Sequence, residues 1–460
     1  MGFQTDSIVA LSTPPGRSGI GVIRISGPKS LAILRTLVGL PCFNPSPSLL
    51  SLRNIIDPFT EEVLDQALVC FFKGPKSFTG EDVVELHCHG SPVLLRTVID
   101  VILRLDARLA DPGEFSLRAV ANGRMQLTEA EAIRDLIDAQ TDDALRQATR
   151  QLKGEISDRL RPAKEDLLKV IVRLESSLEF VEDDLPTIEY DHIARSLQLV
   201  REHLLALMRT FGKGRLLHDG LTVALVGRPN AGKSSLFNML LGHGRAIVTD
   251  IPGTTRDTIS EPVDLEGVPV LLIDTAGIRS ATDEIESLGV DRTRRQAADA
   301  DLVIVVIDGA QSFSDEDRMM LTEVETRRHV IALNKSDLPT FSADGLLQEF
   351  LATPTCITAL AVSAKTAAGL EDLRAAILKP FAHGSSSAEG LLITNARHHE
   401  LLVRAVHEIE SSEHLNLQRA TEELTLVGLH NALRYLGEIT GETTSDEILG
   451  QIFSTFCIGK

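Results

Sequence analysis

None of the four segments of this 460-residue chain carries a surplus of basic side chains. Lys and Arg number 46 against 65 Asp and Glu, a formal charge of −19. Residues 1–120, 121–219, 220–383 and 384–460 are each acidic on balance. That excludes a broad electrostatic footprint for nucleic acid. Any grip on RNA must come from a small local patch or from a partner. Cysteine is scarce as well: 5 residues, Cys42, Cys70, Cys88, Cys356 and Cys457, in no Cys-x-x-Cys pattern. An odd, scattered set argues against a disulfide framework and fits a reducing compartment. No apolar run is long enough to span a bilayer. The first residues have no signal-peptide architecture, and Asp6 stands where a myristoylation motif needs Ser or Thr. A cytoplasmic protein with no membrane attachment is expected. Length predicts about three domains, and a hydrophobic content of 43% is enough to give them cores.

What is present is most specific at residues 227–235. They read Gly-Arg-Pro-Asn-Ala-Gly-Lys-Ser-Ser directly after the apolar run Leu221–Val226. Glycine, four spacers, then Gly232-Lys233-Ser234 is the phosphate-cradling loop between a strand and a helix start. Its glycines let backbone N–H groups converge on phosphate oxygens. Lys233 would neutralise the β/γ-phosphates, and Ser234 Oγ would ligate Mg²⁺. Downstream, Val270–Ile273 ends in Asp274-Thr275-Ala276-Gly277, where the carboxylate can hold Mg²⁺ through water and Gly277 leaves room for the γ-phosphate. Leu302–Ile307 closes on Asp308. His329–Leu333 leads into Asn334-Lys335-Ser336-Asp337. Asp337 can accept two hydrogen bonds from guanine, whereas adenine would leave it unpaired. Ile357–Val362 ends in Ser363-Ala364-Lys365, which can close over the base. Strands alternating with helices over 220–383 predict a doubly wound, mostly parallel sheet binding GTP and Mg²⁺.

The position after Gly277 is Ile278, where many GTPases place a water-orienting glutamine. Something else must therefore position the water. The loop Thr249-Asp250-Ile251-Pro252-Gly253-Thr254-Thr255 is rich in hydroxyls, and Thr255 suits a Mg²⁺ that arrives with the γ-phosphate.

Elsewhere, Ile20–Ile25, Ala67–Phe72 and Val83–Cys88 read as strands and Val93–Leu105 as a helix, an α+β region over 1–120. His87-Cys88-His89 puts its two histidines on one strand face, and two ligands do not make a metal site. From Thr128 the pattern turns helical, with Thr128-x-x-Glu131 as a capping box and Pro162 at the start of a helix 163–180. Gly384–Ser387 reads as a linker, after which helical patterns resume. The predicted fold is an α/β GTPase domain (220–383) inserted in an all-α helical domain (121–219 and 384–460), preceded by an α+β domain (1–120).

These motifs resemble the MnmE (TrmE) family of tRNA-modification GTPases over the whole length. The resemblance implies several things. A K⁺ ion would take the place of an arginine finger, with Asn230, Thr249, Ile251 and Thr254 as ligands. Mg²⁺ would lie on Ser234 and Thr255, and Glu286 would orient the water. Nucleotide contacts would come from Asn230, Ala231, Gly232, Lys233, Ser234 and Ser235, from the loop 249–255, from Asp274–Gly277, and from Asn334, Lys335, Asp337 and Ser363–Lys365. The α+β domain would bind a 5-formyl-tetrahydrofolate-type reduced folate through Arg24, Glu85, Arg124 and Lys460, and promote homodimerisation. Arg124 departs from the lysine frequent in relatives. Cys457, in the tail Cys457-Ile458-Gly459-Lys460, would be a candidate tRNA-modification residue. An FAD-containing MnmG partner, in a heterotetramer, would complete the modification of the wobble uridine of certain tRNAs. Two alternatives share the nucleotide motifs. One is a regulatory RNA- or ribosome-assembly GTPase switch without modification chemistry, and the other a septin- or dynamin-like assembly GTPase.

Overall fold

The computed structural model describes residues 6–179, 190–243, 245–246, 259–274, 300–342, 353–381 and 390–459. The chain divides into two compact units. One comprises Met1–Arg134, Gln151–Arg161 and Leu433–Lys460, the other Asp135–Arg150 and Pro162–Ala432.

The first unit is built on a six-stranded sheet. Its strands are β1 (Ser7–Leu11), β2 (Ser18–Ser26), β3 (Ser51–Ile56), β4 (Val63–Phe72), β5 (Val83–Gly90) and β6 (Ala107–Leu109). Their order is β3-β4-β5-β2-β1-β6. All neighbours are antiparallel except β1 and β6. Alternation along β2 decides the faces. Ile23 and Ile25 join a core with Leu34 and Leu37 of α1 (Ser30–Leu37) and Val98 and Ile102 of α2 (Pro92–Leu103). On the other face Ile8 and Ala10 cluster with Phe115 of α3 (Glu114–Ala121). The helix Asp446–Phe453 belongs to this unit too. Its Leu449 and Phe453 are buried with Phe456, Leu127 and Ala130.

Helical segments follow: α4 (Leu127–Asp138), α5 (Asp142–Leu152), α6 (Glu155–Glu179), α7 (Tyr190–Met208) and α8 (Phe211–Asp219). Two expectations are corrected here. Thr128 is not an N-cap; it lies inside α4 and is buried, and Glu129 reaches back to accept from the Gln126 N–H at 2.8 Å. Pro162 does not open its helix but sits inside α6. Ile156, Leu160, Ala163 and Leu167 are buried on both sides of it, and that burial outweighs the cost of an interior proline, about 3 kcal/mol.

The second unit carries a seven-stranded sheet of β7 (Leu221–Gly227), β8 (Arg245–Ala246), β9 (Ile259–Leu265), β10 (Val268–Asp274), β11 (Leu302–Asp308), β12 (His329–Asn334) and β13 (Cys356–Ala361). Its order is β13-β12-β11-β7-β10-β9-β8. From β13 to β10 the pairs are parallel, and β9 and β8 add antiparallel. Both faces of the parallel strands are covered, which is why their sequences are continuous apolar runs. Leu225, Val306, Leu236 and Ile377 lie in one core, and Val303, Ile307, Leu321 and Val324 in another. The covering helices are α9 (Lys233–His243), α10 (Asp315–Val324) and α11 (Leu370–Leu378). Strand order reverses at β7, the point where doubly wound sheets open a crevice for ligands.

In the same unit, α12 (Ala396–Leu417) packs along α7, with Arg201 paired to Glu413 at 3.1 Å; α13 (Glu422–Thr440) follows, and the division between the units falls within it, after Ala432. Among the described residues no helix is long and apolar enough to cross a membrane.

Candidate nucleotide-binding site

The carboxyl ends of β7, β10, β11, β12 and β13 converge on one crevice. β7 ends at Gly227, and Lys233 is the first residue of α9. The loop between them needs unusual backbone. Asn230 has φ 65, and Gly232 has φ 96. A Cβ on Gly232 would stand 2.1 Å from Asn334 Nδ2, so only glycine fits. The loop curls around its own lysine, whose Nζ donates to the carbonyls of Gly227 (2.7 Å) and Arg228 (2.8 Å). A phosphate offers this buried ammonium a charged acceptor in place of two neutral ones.

Ser234 Oγ donates to Asp274 Oδ2 at 2.8 Å. A hydroxyl and a buried carboxylate side by side are the hard oxygen donors that Mg²⁺ selects, so these residues fit that ion. Asn334 bridges two loops. Its Nδ2 donates to the Ala231 carbonyl at 2.9 Å, and its Oδ1 accepts from the Ala364 N–H at 3.0 Å. Asp337 is exposed toward solvent, and Ser363 Oγ donates to its Oδ1 at 2.7 Å. That hydrogen bond, the largest cause, holds the Asp337 carboxyl below its usual range. The N–H groups of Lys365 (3.3 Å) and Thr366 (3.2 Å) converge on the same Ser363 oxygen. Thus Asn230–Ser235, Asp274, Asn334, Lys335, Asp337 and Ser363–Lys365 gather around one crevice from four strand ends. Thr249, Asp250, Ile251, Pro252, Gly253, Thr254, Thr255, Thr275, Ala276, Gly277, Ile278 and Glu286 lie outside the described residues.

Sequence reasoning missed one support. Arg228 Nε donates at 2.7 Å to Asp317, which is fully buried at the N-terminus of α10. The capping pattern Ser314-x-x-Asp317 was the available signal.

A second cluster lies in the first unit. Arg24 and Glu85 face each other across β2 and β5, with Arg24 Nη2 2.9 Å from Glu85 Oε1. The Arg24 guanidinium stands 5.4 Å from the Phe78 ring centroid, and its Nη1 donates to the Gly459 carbonyl at 3.3 Å. Gly459, at φ 93, also accepts from Ser12 Oγ at 3.1 Å. Arg124 Nε donates to the Ser77 carbonyl at 3.0 Å, beside Phe78. An aromatic face, a carboxylate and two guanidiniums within one cluster are the chemistry a pterin with an anionic tail calls for. Cys457 is exposed, and Lys460 lies outside the described residues. Cys88 points into the core, where burial pushes its thiol up to about 12. His89 pairs with Asp65 at 2.6 Å. Among the described residues no group of three or more His, Cys, Asp and Glu could hold a metal.

A P-loop followed by a strand-end Asp, an Asn-Lys-x-Asp turn and a Ser-Ala-Lys turn on a mostly parallel sheet defines the class of P-loop GTPases. Residues 127–457 match the family described as MnmE helical domain, and residues 7–124 the family described as GTP-binding protein TrmE N-terminus. The tRNA modification GTPase MnmE of Koribacter versatilis is 43% identical over 460 residues, covering 99% of each chain. That of Heliobacterium modesticaldum is 41% identical over 465 residues, again covering 99% of each. That of Aquifex aeolicus is 40% identical over 456 residues, covering 99% of this chain and 100% of the relative. The chain belongs to the MnmE family of tRNA modification GTPases.

Proposed function

We propose that this chain is a K⁺-dependent GTPase acting on tRNA. With an FAD-containing MnmG-type partner, it would add a (carboxymethyl)aminomethyl group to C5 of the wobble uridine of certain tRNAs. A reduced folate would supply the carbon. The observation that carries the GTP part is the linkage of phosphate loop and base loops through Asn334. Family membership over the full length supports the tRNA part.

In this reading Lys233 leaves the carbonyls of Gly227 and Arg228 for the β/γ-phosphates. Asp337 accepts from the guanine ring N–H and amine, and Ser363–Lys365 closes over the base. Mg²⁺, held by Ser234 and Thr255 with Asp274 behind, would neutralise phosphate charge. K⁺, held by Asn230, Thr249, Ile251 and Thr254, would add the charge that an arginine finger supplies elsewhere. Glu286 would orient the water in place of the side chain that Ile278 cannot offer.

Arg24, Glu85, Arg124 and Lys460 would bind the folate, with Cys457 beside it as a candidate for the modification step. The functional division would be 1–120 for folate and homodimerisation, 121–219 with 384–460 for the helical domain, and 220–383 for GTP. A chain of charge −19 leaves much of the RNA grip to the partner. The setting would be the cytoplasm. Nucleoside analysis of tRNA from cells lacking this protein tests the whole. The modified wobble uridine should disappear, and an unchanged nucleoside profile would overturn the tRNA assignment while leaving the GTP site standing.

A further inference from the structure

Asp308 ends β11 as Asn334 ends β12, and the two residues are register partners in parallel strands. Its carboxylate is almost wholly buried at the base-binding side of the crevice. Three donors reach it. Lys335 Nζ lies 2.6 Å and Gln311 Nε2 2.8 Å from Oδ2, and the Ala310 N–H lies 3.1 Å from Oδ1. Lys335 itself has φ 67, an uncommon backbone for a residue with a side chain. It lies between Asn334, which is tied to the phosphate loop, and Asp337, which would read the base. The two turns are cross-braced. The Gly309 N–H donates to the Asn334 carbonyl at 2.9 Å, and the Ser342 N–H to the Gly309 carbonyl at 3.0 Å.

We infer that Asp308 is a positioning residue for guanine recognition: it anchors the Lys335 ammonium so that the lysine stem is already laid out under the base before nucleotide arrives. A lysine carries four rotatable bonds, and ordering them on binding costs affinity. An anchor made beforehand removes that cost. The anchor also explains why a carboxylate can be buried in a site that must accept phosphate, since Lys335 cancels its charge locally. This inference rests on the reading of the crevice as a guanine site.

The test is a double-mutant cycle on the full chain, read as the Kd of a fluorescent GDP analogue. Asp308→Asn keeps the shape and removes the charge. Lys335→Met keeps the unbranched stem and removes the ammonium. Each single variant should bind about 5–30-fold more weakly, and the double variant no more weakly than Lys335→Met alone. Wild-type affinity in Asp308→Asn, or losses that multiply in the double variant, would overturn the proposal. A second measurement needs no variant. In the nucleotide-free wild type, Lys335 should react with an amine-acylating reagent several-fold more slowly than exposed Lys365, followed by mass spectrometry. Equal rates would also overturn it. Failure of the underlying reading looks different: the wild type would then fail to prefer GDP over ADP, whatever the variants do.

Discussion

Ser234 Oγ donates a 2.8 Å hydrogen bond to Asp274 Oδ2, joining the first turn of α9 to the last residue of β10. The bond keeps two hard donors within reach of one ion. Asp274→Asn retains the hydrogen bond but removes the charge that favours a divalent cation. The Mg²⁺ concentration for half-maximal GTP turnover should rise about 10–100-fold. A Mg²⁺ titration of turnover checks this, and an unshifted midpoint would take Asp274 out of the metal's surroundings.

Base choice should rest on Asp337. Asp337→Asn exchanges two acceptors for an acceptor and a donor, so GTP affinity should fall by roughly 100-fold or more. Xanthine nucleotides, with an oxygen where guanine has its amine, should gain. Competition binding separates the two. Because Ser363 holds the carboxyl below its usual 3.8, guanine preference should stay flat from pH 8 down to about 5.

His218 supplies a pH signature. Its Nε2 lies 3.0 Å from Asp135 Oδ1 and its Nδ1 2.7 Å from Asp219 Oδ1. The hydrogen bond to Asp135, first among the causes, raises the imidazole from 6.5 to about 9. The folded state therefore binds this proton more tightly than the unfolded one. Its stabilisation is whole below pH 6.5 and is lost as pH rises through about 9. His218→Gln should cost about 1–2 kcal/mol at pH 6, allowing for partial solvent exposure, and almost nothing at pH 10. Urea melts at the two pH values decide. An equal loss at both would mean that the ring acts by packing alone.

For the chemical step, Glu286→Ala should lower GTP turnover by about 10²–10⁴-fold while leaving nucleotide Kd nearly unchanged. Single-turnover hydrolysis with parallel binding isotherms gives both numbers. Near-normal turnover would remove Glu286 from the mechanism.

Glu85→Gln tests the first unit. It takes away the charged partner of Arg24 and the bidentate acceptor that a pterin edge needs. Calorimetric titration with 5-formyl-tetrahydrofolate should show a loss of roughly 10-fold or more. Undiminished heat and affinity would move the ligand away from this pair.

The parallel strands were legible because burial on both faces turns them into plain apolar runs ending in motif turns, as at Leu302–Asp308 and His329–Asn334. β9 was not. Its sequence Ile-Ser-Glu-Pro-Val-Asp-Leu mixes charge with a proline, and Pro262 lies just beyond the two residues through which β8 pairs with it. Proline argues against a paired strand, and only the register shows Pro262 opposite Leu271 of β10. Helix ends failed for a related reason. Thr128 and Pro162 carry strong local signals, yet tertiary burial extended both helices past them. In the crevice the motif residues were readable one by one. Asp308 was visible as a strand end, but its salt bridge to Lys335 depends on two strands lying side by side in register.

The hydrogen bond from Arg24 to the Gly459 carbonyl spans 435 positions. A ribosome delivers the amino-terminal sheet long before residue 459. During most of synthesis that sheet is therefore present with Arg24 lacking this last contact, and the nucleotide crevice downstream is completed after residue 365, still ahead of Gly459. A nascent chain stalled between residues 365 and 459 would carry every described P-loop and base-loop residue and still lack one wall of the Arg24 cluster.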